Sequence, residues 1–125
     1  MSGQIILIDD NAACNHLHKR MIEIACAHDD IVSFESSVGG LSYISKVTKK
    51  DKVTLLLDIN MPNLNGFETL QELQKMKLPF KLDVFILSST SDLEEIDRCK
   101  SIYQECKFIE KPLTIEKIKL HLTQI

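Results

Sequence analysis

The chain has 125 residues, of which 44% are hydrophobic and 26% are charged, a balance that is ordinary for one globular domain and too apolar for a disordered segment. With 15 Lys and Arg against 18 Asp and Glu, the net charge of -3 argues against sequence-independent binding to nucleic acid. The apolar runs are far shorter than the ~20 residues of a membrane helix, and the N-terminus does not resemble a signal peptide. We therefore expect one cytoplasmic domain over residues 1–125, with no output domain and no contact with membrane or nucleic acid.

Short apolar runs of strand length alternate along the chain with longer segments of helical periodicity. In chain order, the predicted strands are Ile5–Ile8, Ile31–Phe34, Val53–Leu57, Val84–Leu87 and Cys106–Ile109. The predicted helices are 12–27, 38–49, 66–77, 91–103 and 113–124. Strand–helix alternation repeated five times predicts an α/β fold, in which helices cover both faces of a five-stranded parallel sheet.

Each predicted helix carries an apolar stripe that we expect to face the sheet. In the first helix this stripe is Cys14, Leu17, Met21 and Ile24, and His18 is expected to lie elsewhere. The stripes of the other helices are Leu41, Ile44 and Val47; Phe67, Leu70 and Leu73; Leu93, Ile96, Cys99 and Tyr103; and Ile115, Ile118 and Leu122. Ser91 and Thr114 are the predicted caps of the last two helices.

Polar side chains follow four of the five predicted strands. These are Asp9 and Asp10 after the first strand, Asp58 after the third, Ser88 after the fourth and Lys111 after the fifth. In a parallel sheet of order 2-1-3-4-5, the carboxyl ends of these strands meet at one edge, where ligands bind. Each residue alone has a simpler explanation, such as a helix cap or a solvated charge. Their joint occurrence at four strand ends favours a shared site.

The chemistry of these side chains indicates what such a site would do. Three neighbouring carboxylates are costly to keep ionised without a cation, and oxygen ligands suit Mg²⁺. A cation together with the ammonium of Lys111 would stabilise an anion in front of Asp58. That arrangement allows a carboxylate to attack a phosphoryl group, with the Ser88 hydroxyl hydrogen-bonding a phosphoryl oxygen.

Over its whole length the sequence resembles the receiver domain of bacterial two-component response regulators. The resemblance rests on four motifs in order, which are Ile6-Leu7-Ile8-Asp9-Asp10-Asn11, the stretch Leu57-Asp58-Ile59-Asn60-Met61-Pro62-Asn63-Leu64-Asn65-Gly66, Ile86-Leu87-Ser88-Ser89 and Ile109-Glu110-Lys111-Pro112-Leu113. The resemblance implies the flavodoxin-like receiver fold with strand order 2-1-3-4-5. It also implies a phosphorylatable signalling switch of a two-component system or phosphorelay, which signals through altered protein docking.

The resemblance further implies a role for each motif residue. Asp58 would take a phosphoryl group from a phosphohistidine on a sensor histidine kinase or a histidine phosphotransfer protein. The implied ligands of Mg²⁺, with Mn²⁺ as an alternative, are Asp9, Asp10, Asp58 and the backbone carbonyl of Asn60. Lys111 and Ser88 would contact the phosphoryl group, Ser88 and Phe108 would be the switch residues, and Lys111–Pro112 is a candidate cis peptide bond. Such a domain catalyses its own phosphorylation and slow dephosphorylation without being an enzyme in the usual sense.

Several alternatives are open on the sequence. A phosphatase of the haloacid dehalogenase type needs two acids spaced two apart after the first strand, whereas Asp9 and Asp10 are adjacent. A flavodoxin-like cofactor protein needs a phosphate loop where the sequence has two acids. A receiver that serves only as a scaffold has no support, because every expected site residue is present. The sequence leaves open whether the chain is an output regulator or a relay intermediate. By resemblance to the family, Asn60 and Thr90 stand where side chains influence the lifetime of the phosphate.

Overall fold

The computed structural model describes residues 3–26, 30–48, 50–59, 66–88 and 93–122. Its strands are β1 (Gly3–Ile8), β2 (Ile31–Phe34), β3 (Lys52–Asp58), β4 (Lys81–Ser88) and β5 (Lys107–Glu110). Its helices are α1 (Ala12–Cys26), α2 (Ser37–Lys46), α3 (Gly66–Lys75), α4 (Leu93–Ile102) and α5 (Ile115–Leu122). Every predicted strand and helix is present, with its ends shifted by a few residues at most.

The five strands form one parallel sheet in the order β2-β1-β3-β4-β5. This confirms the predicted fold class and strand order. The register aligns Ile8 of β1 with Leu57 of β3, so the central strands end at the same level. Because β3 is buried along nearly its whole length, it reads as a continuous apolar run in the sequence.

Alternate residues of the central strands supply two separate hydrophobic clusters, one on each face of the sheet. On β1, Ile6 and Ile8 belong to the larger cluster, which is completed by α2, α3 and α4. Ile5 and Leu7 point the other way, into the cluster covered by α1 and α5. The alternation follows from the two-residue period of a strand, which sends successive side chains to opposite faces.

The predicted orientation of α1 is wrong. The buried residues of this helix are Asn15, His18 and Ile22, whereas Leu17 is 57% exposed and Ile24 is 65% exposed. The reason is the side-chain amide of Asn15, whose Nδ2 donates to the carbonyl of Asp9 at 3.0 Å and to that of Phe34 at 3.1 Å. Positions three and seven residues after Asn15 lie on the same helix face, so this anchor turns His18 and Ile22 inward.

The other helices follow their predicted stripes more closely. Leu41, Ile44, Leu70, Leu73, Cys99, Ile118 and Leu122 are buried as expected. Leu93 is the main exception, because it is 73% exposed at the start of α4. The predicted cap Thr114 is confirmed, since its hydroxyl accepts a hydrogen bond from the Lys117 amide at 3.1 Å. The other predicted cap, Ser91, lies outside the described residues. Among those residues, no helix is long and apolar enough to cross a membrane.

Candidate functional site

The strand register gathers the polar residues that follow the strands at one edge of the sheet. Asp58 is the last residue of β3 and lies opposite Leu87 of β4. Ser88 in turn lies opposite Glu110 of β5, the residue before Lys111. Because β1 ends level with β3, Asp9 lies beside Asp58. Residues from four strand ends therefore meet at the edge predicted for ligand binding.

Three carboxylates form the centre of this edge. One oxygen each of Asp9, Asp10 and Asp58 lies within 4.8 Å of the others, and Asp9 and Asp58 are buried while Asp10 is exposed. Burial raises the pKa of Asp9, and the nearby negative charge of Asp58 raises it further. Opposing this, the Asn11 amide donates a hydrogen bond to Asp9 Oδ1 at 2.9 Å.

The turn that carries these acids is fixed by Asn11. Its side-chain Oδ1 accepts a hydrogen bond from the Cys14 amide at 3.1 Å, which caps the start of α1. The same residue therefore orients Asp9 through its backbone and begins the helix through its side chain. The capping role is thus carried by Asn11, and the Asp9 carboxylate stays directed at the cluster.

Lys111 brings the positive charge to the three acids. Its Nζ lies 3.1 Å from Asp58 Oδ1, and its backbone amide donates to the carbonyl of Ser88 at 2.8 Å. The Lys111–Pro112 peptide bond is cis. Nearby, the Lys117 ammonium donates to the carbonyls of Glu110 and Pro112 at 2.6 and 3.0 Å. These contacts hold the β5–α5 connection and hence the position of Lys111.

Ser88 lies at the end of β4 with its side chain buried. Its hydroxyl donates a hydrogen bond to Glu95 Oε1 at 2.8 Å, a contact with the first turn of α4 that the sequence analysis did not foresee. Phe108 of β5 is half-buried and packs against the larger hydrophobic cluster. Both residues thus lie between the sheet edge and the helices that cover it.

Helix α3 begins at Gly66, which packs against Ile59, the residue after Asp58. The Gly66 amide donates to the carbonyl of Ile59 at 2.9 Å, and a Cβ at Gly66 would lie 2.6 Å from Ile59 Cα. Only glycine allows the two backbones to approach this closely. Asn60, whose carbonyl was predicted as a metal ligand, and Thr90 lie outside the described residues.

Two further residues near the site were missed by reasoning from the sequence. Asn15 fastens α1 to the ends of β1 and β2, and His18 is buried one turn further along the helix. Burial lowers the pKa of His18, and the positive charge of Lys111 lowers it further. The sequence did contain a signal for both residues. Asn15 and His18 lie seven and four positions before Ile22, a spacing that places all three on one face of the helix.

The donor set fits a divalent cation such as Mg²⁺. Carboxylate oxygens are hard ligands, and three of them within 4.8 Å can share one small ion. Two of the three carboxylates are buried, so a positive charge is needed to offset their mutual repulsion. Lys111 supplies one such charge and leaves the cluster net negative, which favours binding of a cation.

An α/β sheet of order β2-β1-β3-β4-β5 with an acidic cluster and a lysine at its carboxyl edge belongs to the class of doubly wound domains, which bind ligands at that edge. Residues 5–123 match the family model of the response regulator receiver domain. The chain belongs to this family, and its role is that of a phosphoacceptor in two-component signalling. Domains of the family bind Mg²⁺ at an acidic pocket and interact with histidine kinases and phosphotransfer proteins.

Named relatives agree with this assignment. The two-component response regulator ARR16 of Arabidopsis thaliana is 26% identical over 94% of this chain and 79% of its own. Sensor protein EvgS of Escherichia coli is 28% identical over 97% of this chain, which spans only 9% of that protein. Among solved structures, chemotaxis protein CheY4 of Vibrio cholerae superimposes with a TM-score of 0.84 at 16% identity, covering 100% of this chain and 99% of its own. At that identity the structural likeness shows the fold alone.

Proposed function

We propose that Asp58 is the phosphoacceptor of this receiver domain. The observation that carries the proposal is the position of Asp58, which lies within 4.8 Å of two other carboxylates and accepts a hydrogen bond from Lys111 at 3.1 Å. Neither Asp9 nor Asp10 has such an ammonium among its described partners. Asp58 thus has both a hydrogen-bonded ammonium and two neighbouring carboxylates.

In the proposed reaction, a carboxylate oxygen of Asp58 attacks the phosphorus atom of a phosphohistidine. The P–N bond breaks as the P–O bond forms, and the imidazole leaves and takes its proton from solvent. The Lys111 ammonium, which hydrogen-bonds to Asp58 before the reaction, then pairs with the phosphoryl oxygens. The Ser88 hydroxyl donates a hydrogen bond to one of these oxygens. Asp9, Asp10 and Asp58, with the Asn60 carbonyl, would hold Mg²⁺, which would neutralise charge on the transferring group.

The exposed apolar stripe of α1 provides a surface for the phosphodonor. Leu17 and Ile24 are exposed on the same side of the helix, Met21 between them packs partly against the core, and Arg20 lies beside the exposed pair. The stripe lies on the helix that follows Asp9 and Asp10, so the N-terminal end of this helix is next to the acidic cluster. We propose that a helix with an apolar face docks here and presents its phosphohistidine to Asp58.

In this proposal the domain is phosphorylated in the cytoplasm and signals by a change in how it docks to other proteins. All four cysteines, Cys14, Cys26, Cys99 and Cys106, have free thiols, as is typical of a reducing compartment. Phosphorylation would shift an equilibrium between two surface states. Rotation of Phe108 remains a prediction within this scheme.

The test is the intact mass of the protein after incubation with Mg²⁺ and acetyl phosphate. We expect a gain of one phosphoryl group that disappears when EDTA is added and in Asp58→Asn. Asp51→Asn is a matched control, because Asp51 is exposed just before β3 and lies outside the acidic cluster. Full labelling of Asp58→Asn would refute the assignment, and labelling that EDTA does not change would refute the role of the cation.

A further inference from the structure

The side chain of Ser88 is already engaged in the resting protein. Its hydroxyl is buried at the end of β4 and donates to Glu95 Oε1 at 2.8 Å. A serine hydroxyl has a single proton to donate. Ser88 therefore hydrogen-bonds either to Glu95 or to an oxygen of a phosphoryl group on Asp58, but not to both.

Glu95 is positioned to compete for this proton. It lies in the first turn of α4 and is half-buried, so its carboxylate is a charged acceptor partly shielded from water. A hydrogen bond to a charged acceptor is stronger than one between neutral groups. The helix is held separately against α3 by Arg98, whose guanidinium stacks over the ring of Phe67 at 3.9 Å. This contact holds α4 against α3 independently of the Ser88–Glu95 hydrogen bond.

We propose that Glu95 is a positioning residue that holds Ser88 in the unphosphorylated state and opposes its closure on the phosphoryl group. Phosphorylation then has to break the Ser88–Glu95 hydrogen bond, and the first turn of α4 loses its polar link to β4. The strength of this one bond sets how strongly phosphorylation is resisted and couples the site to the surface of α4. The inference rests on the proposed function of Asp58.

The experiment measures the affinity for fluoroberyllate, a phosphoryl mimic, in the presence of Mg²⁺. Glu95→Ala should bind it about five- to tenfold more tightly than wild type, because the competing acceptor is gone. Glu95→Gln keeps a neutral acceptor and should show a smaller gain. Asp97→Ala removes the same charge from an exposed site on the same helix and should behave as wild type. In a Ser88→Ala background, the effect of Glu95→Ala should vanish.

A second measurement examines the resting protein without Mg²⁺ or fluoroberyllate. The double-mutant cycle of Ser88→Ala and Glu95→Ala should show coupling in the unfolding constant, by a factor of about five or more. Absence of this coupling would overturn the proposal, as would an equal gain from Glu95→Ala in the presence and absence of the Ser88 hydroxyl. If wild type itself binds no fluoroberyllate and takes no phosphoryl group, the proposed function of Asp58 fails. If wild type binds and Glu95→Ala binds no tighter, only the role of Glu95 fails.

Discussion

Gly66→Ala tests the close approach of two backbones beside the acidic cluster. The added Cβ would lie 2.6 Å from Ile59 Cα and 2.7 Å from Ile59 Cγ1. Carbon atoms pack at about 3.5 Å or more, so one of the two segments must move by about 1 Å. Overpacking of this kind costs about 1–3 kcal/mol, and the gain of about 0.5–1 kcal/mol from alanine in a helix offsets part of it. We expect a net loss of about 1 kcal/mol in the free energy of unfolding.

The same substitution should slow phosphorylation, because Ile59 directly follows Asp58. A misplacement of about 1 Å near a reacting group can lower a rate by tenfold or more. Urea denaturation would give the stability, and the rate of labelling by acetyl phosphate would give the activity. Gly39→Ala is the matched control, since its Cβ would lie 3.3 Å from Ser36 Oγ, and we expect a change of less than about 1 kcal/mol. If Gly66→Ala unfolds and is labelled like wild type, the backbone contact does not constrain the site.

Three other substitutions probe α1. Asn15→Leu removes one buried and one partly buried hydrogen bond, so it should lower the free energy of unfolding by about 2–4 kcal/mol, as measured by urea denaturation. A loss below about 1 kcal/mol would contradict the anchoring role. Leu17→Glu should leave stability and acetyl phosphate labelling unchanged while reducing phosphotransfer from any histidine kinase that labels wild type, and unchanged transfer would exclude the α1 surface. Because the pKa of His18 is lowered in the folded state, the unfolded state binds a proton near pH 6.5 while the folded state is still neutral at this residue. The free energy of unfolding should therefore fall as the pH drops below that value. His18→Leu should flatten this part of the stability–pH curve, and an unchanged slope would contradict the explanation.

The sequence predicts the sheet well because strand identity depends on short local patterns. The runs that became β1, β3 and β4 are almost wholly apolar, which is what burial on both faces requires. The strand order then determines where the polar residues that follow these strands lie. Asp58 is next to Asp9 because β3 pairs with β1. Lys111 joins them through the pairing of β5 with β4.

The orientation of α1 was less predictable because it depends on a long-range contact. Apolar periodicity favours Leu17 and Ile24 as core residues, but the side chain of Asn15 bonds to carbonyls at the ends of β1 and β2. A sequence pattern does not show which backbone carbonyls need a partner. The contact between Ser88 and Glu95 was missed for a related reason, since it joins the end of a strand to a helix and has no signature in the local sequence pattern.

The short outer strands have a consequence for how this protein meets others. Strands β2 and β5 are each four residues long, and β5 ends in the exposed charges of Lys107 and Glu110. Edges this short, with charged side chains at their ends, give a poor template for pairing with a strand of another chain. Association through the helical surfaces is therefore favoured over extension of the sheet, which protects the fold from edge-to-edge aggregation.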